Sequence, residues 1–431
     1  MANFTKNYLV ERGVENTFVP RFVKVRQKFD TKCLTDFDSE IKRCMKERGL
    51  YERIKQGQRV AISAGSRQIA NIPEILKSIV EIVKSLGGKP FIIPAMGSHG
   101  GATAEGQKSI LISYGITEEA VGAPIISCMD VGEIGKTKDG IPVYCSKTLA
   151  DADAIIIVNR IKPHPGLSGP IQSGLIKMSV IGLGKQKGAE TCHRLGLDGM
   201  TNRLGEMSKI IISKIPIIFG VGILETANDE TAEIHCVPAE LFDIEEPLLL
   251  KKAQEYMPEI MFDSIDVLVV DEVGKNISGV CADPAITLRF LVESKKTPRP
   301  APKCFIMSDL TSESAGAASG IGQADIITYR LYEKIDFGKT YVNSMTSTFL
   351  PNARMPIVMK NDYYALKLAI KTCNCPDVSK VRVVRIKNTL NISDIFISEG
   401  LFPEALANSR IDILSEPIEQ QFDISGNYIN F

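Results

Sequence analysis

The sequence predicts an α/β protein made of two α/β domains with mostly parallel sheets and a cleft between them. Short apolar runs alternate along the chain with amphipathic helical patterns, as in parallel strands joined by crossover helices. Polar, glycine-rich turns follow several of these runs. A second set of strands and helices begins after residue 260, and we therefore place the domains at residues 1–260 and 261–431.

The clearest unit is a strand at 59–63, a helix at about 73–86 and a strand at 90–94. Short connections make it a right-handed crossover, so the two strands should be parallel. The apolar run at 152–158 is typical of a third buried parallel strand. The carboxyl ends of these strands should meet at one edge of the sheet, where open α/β sheets bind ligands.

The remaining elements are less sharply marked by pattern. In the first domain they are a strand at 17–30, helices at 36–48, 103–114, 205–214 and 246–255, strands at 124–128 and 217–221, and a hairpin turn at 138–140. In the second domain they are strands at 264–270, 303–307 and 380–386 and helices at 324–333 and 364–373.

Composition excludes several classes of protein. The 431 residues contain 51 basic and 51 acidic side chains, so neither nucleic acid nor an anionic membrane is an expected partner. The amino terminus resembles no secretory signal, no apolar run reaches the length of a membrane span, and the ten cysteines are irregularly spaced. We expect a cytoplasmic protein with reduced thiols; the sequence does not indicate its oligomeric state.

Three of the four histidines lie in glycine-rich loops after predicted strands. His164 and His193 bracket Lys177 within residues 159–193, and His99 follows the strand at 90–94. Histidine titrates near neutral pH and is the commonest metal ligand, so this placement indicates a catalytic or metal-binding role.

Chemistry-bearing residues at the predicted strand ends form the candidate site, namely Arg67, His99, His164, Lys177 and His193. Arginine suits the capture of phosphate or carboxylate, and two histidines could transfer protons near neutral pH. Lys177 lies in an apolar run, where it either reaches solvent from a helix face or is neutralised, for example by a covalent bond to a cofactor. The glycine-rich stretches at 182–185 and 316–322 match neither a P-loop nor a dinucleotide fingerprint, although the second could present backbone N–H groups to an anion.

The order and spacing of these residues resemble the lactate racemase family, the nickel-pincer-nucleotide-dependent racemases and epimerases of 2-hydroxy acids. The motifs that carry the resemblance are Arg67, Gly97-Ser98-His99, Pro163-His164 with Ser168-Gly169, Gly174-x-x-Lys177, and His193. The match is densest from residue 59 to 200.

The resemblance implies a role for each residue. Lys177 would hold the pincer nucleotide through a thioamide, His193 would complete the nickel coordination, and Ser66 and Arg67 would bind the cofactor, Arg67 through its phosphate. His99 and His164 would face the substrate from opposite sides as acid/bases. The implied activity is inversion of C2 of a 2-hydroxy acid by reversible hydride transfer.

The chain departs from the lactate enzymes near the site. Gly65-Ser66-Arg67 stands where they have an Asp-x-Thr-Arg turn, Gly100 stands where they have an arginine, and the loop from His164 to Lys177 is longer. These changes suggest a differently shaped substrate. The anchor could also be Lys185 or Lys187, although Lys177 keeps the family's spacing to His193.

Two other functions are compatible with the same residues. One is a zinc-dependent hydrolase or lyase with His99, His164 and His193 as ligands. The other is a non-catalytic protein that binds a phosphorylated metabolite through Arg67 and the segment at 316–322.

Overall fold

We describe the fold from a computed structural model of the chain. The structure describes residues 8–29, 33–65, 69–164, 166–292, 297, 299–429 and 431. These residues form two compact units, one of residues 30–257 and one that joins residues 1–29 to 258–431. Within the described ranges, none of the helices is both long and apolar enough to cross a membrane.

Fifteen strands are described. They are β1 (Phe22–Gln27), β2 (Arg59–Ala64), β3 (Lys89–Pro94), β4 (Val131–Lys136), β5 (Pro142–Ser146), β6 (Ala154–Arg160), β7 (Ile217–Glu225), β8 (Thr231–Pro238), β9 (Val267–Val273), β10 (Cys304–Leu310), β11 (Ile326–Thr328), β12 (Ile357–Met359), β13 (Val383–Ile386), β14 (Asp394–Ser398) and β15 (Ile411–Ile413).

Fourteen α-helices are described. They are α1 (Tyr8–Val14), α2 (Phe37–Glu47), α3 (Ile72–Ser85), α4 (Ala104–Ser113), α5 (Glu118–Val121), α6 (Leu175–Lys177), α7 (Lys185–His193), α8 (Gly196–Lys214), α9 (Phe242–Tyr256), α10 (Pro284–Thr287), α11 (Tyr329–Glu333), α12 (Phe337–Thr346), α13 (Asp362–Thr372) and α14 (Phe402–Ala407).

A five-stranded sheet with the order β3-β2-β6-β7-β8 forms the centre of the unit at 30–257. The pairs β2–β3, β2–β6 and β6–β7 are parallel, and β8 is antiparallel to β7. Successive side chains of β6 enter two different cores, because Ile156 and Val158 pack on one face and Ile155 and Ile157 on the other. Burial on both faces explains the continuous apolar runs of the sequence and confirms the predicted α/β fold.

An eight-stranded sheet with the order β12-β11-β10-β9-β13-β14-β1-β15 forms the other unit. Strands β9 to β13 run parallel, whereas β14, β1 and β15 pair antiparallel with their neighbours. The amino-terminal strand β1 therefore belongs with the carboxy-terminal residues, with Phe22, Val23 and Val25 fully buried there. The first predicted domain, 1–260, differs from the observed unit in this respect.

Several elements differ from the sequence-based prediction, and three of them are described here. The strand expected at 124–128 is reduced to an isolated bridge between Ile92 and Ile125. The helix expected at 324–333 begins only at Tyr329, since Ile326–Thr328 is a buried β-branched run that pairs with β10 and β12. Strand β8, which carries His235, was not predicted at all.

Candidate active site

Parallel pairing places the carboxyl ends of β2, β3 and β6 at one edge of the sheet. Gly65 follows β2, and a Cβ added to it would lie 3.0 Å from Met178 Cε. At the end of β6, Asn159 Nδ2 donates to the carbonyl oxygen of Gly174 at 2.9 Å. The segment that carries Lys177 is thus in contact with two of the three strand ends.

Residues 175–193 form a nearly continuous helical segment with Lys177 and His193 towards its two ends. Helix α6 leads into a π-helical turn at Met178–Gly182, where Leu183 N–H donates to Met178 O at 3.1 Å, and α7 follows. π-Helical turns are frequent at functional sites. Burial, and then the positive charge of Lys177, lower the pKa of His193, so the ammonium lies within electrostatic range of the ring. The lowered pKa favours the neutral imidazole that metal ligation requires.

Lys185, at the start of α7, supports the loop that carries His99. Its ammonium donates to Pro94 O at 2.5 Å and to Gln107 Oε1 at 3.0 Å, and its side chain is buried. Gln107 Nε2 in turn donates to Gly97 O at 2.9 Å and to His99 O at 3.3 Å. Burial lowers the pKa of Lys185 to about 8. The hydrogen bonds give Lys185 a structural role beneath the His99 loop.

The His99 loop also packs directly on the Lys177–His193 segment. A Cβ added at Gly97 would lie 3.3 Å from Ile181 Cγ2 and 3.4 Å from Ala189 Cβ. Both contacts are tight, so the loop passes close to the π-helical turn and to α7. His99 itself is exposed at this edge.

His164 lies in a tight turn that contacts the start of α8. Its Nδ1 accepts hydrogen bonds from the backbone N–H groups of Gly166 and Leu167, each at 3.0 Å. A Cβ added at Gly166 would lie 3.1 Å from Leu197, which is four residues after His193 in α8. Because Nδ1 is an acceptor, the neutral ring carries its proton on Nε2.

The structure thus packs the loop of His99 against the segment that holds Lys177 and His193, and the loop of His164 against Leu197 at the start of α8. Ser66 and Arg67 lie outside the described residues. Lys187 is exposed, and its ammonium lies 4.6 Å from the centre of the Tyr144 ring.

Sequence reasoning missed the residues that hold this site in place. Gln107, Asn159 and Glu246 are polar residues in helices or at a strand end, and nothing in their local sequence distinguishes them from solvated residues. The groups that these three side chains bind lie far from them in the sequence. Their roles follow only from the hydrogen bonds of the folded chain.

Two observations bear on the alternative functions. Among the residues that the structure describes, no three His, Cys, Asp or Glu side chains gather as a metal ion would require. In the segment at 316–322, added Cβ atoms would lie 2.1 Å from Val280 O at Gly320 and 2.1 Å from Pro351 O at Gly322. Close packing within the protein therefore explains these two glycines.

The fold is an α/β fold in which His99 and His164 follow parallel strands at their carboxyl ends. Residues 23–204 match the lactate racemase N-terminal domain family. No curated protein matches the chain.

Two solved structures are similar to the chain. The lactate racemase apoprotein of Thermoanaerobacterium thermosaccharolyticum is 12% identical, with a TM-score of 0.44 over 67% of this chain and 74% of that chain. A Thermotoga maritima protein from a structural genomics consortium is 14% identical, with a TM-score of 0.47 over 65% of this chain and 71% of that chain.

Gly106→Ala is expected to destabilise the fold around His99. A Cβ at this position would lie 1.9 Å from the backbone oxygen of Gly100, and neither backbone can move freely, so we expect a loss of about 3 kcal/mol in the free energy of unfolding. Gly132→Ala is the control, because no atom lies within 4 Å of its added Cβ; it should change stability by about 0.5 kcal/mol at most. Denaturant unfolding measures both. Equal free energies of unfolding for the two variants would show that Gly100 and Gly106 are not in tight contact.

Proposed function

We propose that the protein is an isomerase that inverts C2 of a 2-hydroxy acid at the edge of the sheet formed by β2, β3 and β6. The observation that carries the proposal is the position of Lys177 and His193 on one helical segment, with the His99 loop packed against it and the His164 loop packed against Leu197 at the start of α8. The match of residues 23–204 to the lactate racemase N-terminal domain supports the same class of reaction.

The donor set fits a nickel-pincer nucleotide. Lys177 supplies an amine for covalent attachment, and His193 supplies an imidazole whose lowered pKa favours ligation. A single protein ligand suits a group that brings its own sulfur and carbon ligands, as the family resemblance implies. When bound, this group would take hydride from C2 of the substrate and return it. Ser66 and Arg67 would bind the nucleotide.

His99 and His164 would exchange the proton of the substrate hydroxyl. His164 can accept a proton at Nε2 only after Nδ1 gives up its two backbone hydrogen bonds. Each is worth about 0.5–1.5 kcal/mol, so the change costs about 1–3 kcal/mol. This cost is small beside a chemical barrier, and the acid/base role of His164 remains accessible.

The substrate is proposed to be a 2-hydroxy acid other than lactate. Gly100 follows His99 where the lactate enzymes have an arginine, and the loop between His164 and Lys177 is longer than theirs. Without an arginine after His99, the chain lacks a cation that could bind the carboxylate of lactate.

Protein purified from a host that makes the cofactor is expected to carry a nucleotide-derived mass and stoichiometric nickel. It should interconvert the enantiomers of at least one compound in a panel of 2-hydroxy acids, as measured by chiral chromatography. The same chain from a host without the cofactor-making enzymes should lack the mass, the metal and the activity. Full activity without nickel would contradict the proposal.

A further inference from the structure

Glu246, in the second turn of α9, is a buried acidic residue aimed at the segment that carries Lys177. Its side chain is 1% exposed. Its Oε2 accepts a hydrogen bond from Ile176 N–H at 2.8 Å, and the backbone N–H of Leu175 also points to the carboxylate. Helix α6 has no side-chain cap of its own, so Glu246 satisfies backbone donors that α6 leaves open.

Gly174 makes this approach possible. A Cβ added at Gly174 would lie 2.5 Å from Glu246 Cδ, 2.6 Å from its Oε1 and 2.7 Å from its Oε2. The carboxylate therefore packs flat against the Cα of Gly174. Any side chain at position 174 would push Glu246 away from Ile176.

A second residue holds the same turn from the opposite side. Asn159, at the end of β6, donates to Gly174 O at 2.9 Å. The first turn of α6 is thus fixed between a strand and a helix, and Lys177 directly follows Ile176. A shift of this turn would carry the Lys177 backbone with it.

Stability alone does not account for a carboxylate in this place. Glu246 Oε1 is buried and has no hydrogen-bond partner among the described residues, and burial raises the pKa of the carboxyl to about 7. A buried polar atom without a partner is costly, and an apolar side chain would avoid the cost. The geometry indicates that Glu246 serves to accept hydrogen bonds from the backbone of α6.

We propose that Glu246 is a positioning residue for Lys177, and that its carboxylate, seated on Gly174, fixes the turn from which the lysine enters the site. This inference rests on the proposed function only in taking Lys177 as the attachment residue.

Competitive acylation of the cofactor-free protein tests the inference. Protein is treated with a limiting amount of acetic anhydride, and peptide mass spectrometry gives the labelling of Lys177 relative to the exposed Lys187. In Glu246→Ala we expect this ratio to rise about threefold to tenfold, because a turn that is no longer held opens more often and leaves the half-buried Lys177 amine more accessible to the reagent. Glu246→Gln should restore the wild-type ratio, because its amide oxygen can still accept from Ile176. Lys185, buried and hydrogen-bonded, should stay unlabelled throughout.

Two further variants keep the test decisive if Glu246→Ala does not fold. Glu246→Asp keeps the charge but shortens the reach, and Gly174→Ala displaces an intact carboxylate, so both should raise the Lys177 ratio. An unchanged Lys177 ratio in any folded variant that loses the contact between Glu246 and α6 would overturn the inference. A rise accompanied by labelling of Lys185 would also overturn it, because labelling of that buried lysine indicates that the whole fold has loosened. No cofactor is needed, so the outcome is independent of whether nickel chemistry occurs.

Discussion

Lys177→Arg is expected to give a folded protein with no cofactor adduct, no nickel and racemisation at background level. Arginine keeps the positive charge near His193, but its guanidinium is always protonated and is no nucleophile. The substitution therefore removes the attachment chemistry and preserves the electrostatic environment. Intact mass, metal content and chiral chromatography on protein from a cofactor-making host measure the three quantities.

The structure favours Lys177 over its two neighbours. Lys185 is buried, and its ammonium is held by Pro94 O and Gln107 Oε1. Lys187 points to the ring of Tyr144 on the exposed side of α7. Only for Lys177 does the structure record a charge that acts on the pKa of His193.

Lys187→Arg is the matched control for this prediction. Arginine can keep the contact with Tyr144, so adduct, nickel and activity should stay within about twofold of the wild-type values. An adduct that persists in Lys177→Arg, or that maps to Lys185 or Lys187 in the wild-type protein, would show that Lys177 is not the anchor.

The strand ends around the site could be predicted because their signals are local. The apolar runs that became β2, β3 and β6 are bounded by turns, and the crossover rule then places their carboxyl ends at one edge. The same reasoning brought His99 and His164 towards one region. Periodicity and a topological rule were sufficient there.

The position of β1 could not be predicted, because it depends on residues far away in the sequence. Alternation identifies a strand near residues 22–27, but its partners are β14 and β15, more than three hundred residues along the chain. No local pattern specifies that pairing. A strand at the amino terminus therefore looked like part of the nearest domain.

The side chains that position the site were hidden for a similar reason. Glu246 lies in a helix, where an acidic residue is usually solvated, and its contact with Gly174 is made only when α9 packs beside α6. The spacing to His193 favoured Lys177 over Lys185, but the burial of Lys185 could not be predicted, since both lysines lie near apolar residues and glycines. In the folded protein, Lys185 is distinguished by its burial and by its hydrogen bonds to Pro94 O and Gln107 Oε1.

His99→Asn and His164→Asn are each expected to lower racemisation by about 10²–10⁴-fold, the usual contribution of a positioned acid or base. Asparagine retains a hydrogen-bonding side chain but cannot take up a proton. At position 164 its Oδ1 can accept from the backbone N–H groups that now bond Nδ1, so the turn should persist. His235→Asn is the control, because His235 Nε2 bonds Glu233 at 2.7 Å on β8 and has no proposed part in the reaction.

A two-sided site makes a sharper prediction about the enantiomers. If each histidine serves one face of the substrate, each variant should still form the 2-oxo acid from one pure enantiomer and not from the other, and the two variants should have opposite preferences. Trapping the oxo acid as its phenylhydrazone in a single turnover measures this. Racemisation within about tenfold of wild type in His164→Asn would instead mean that this ring donates a hydrogen bond from Nε2 and transfers no proton. The two hydrogen bonds that Nδ1 accepts would then explain why His164 transfers no proton. They hold the ring in the tautomer that carries its proton on Nε2, so Nε2 cannot accept another.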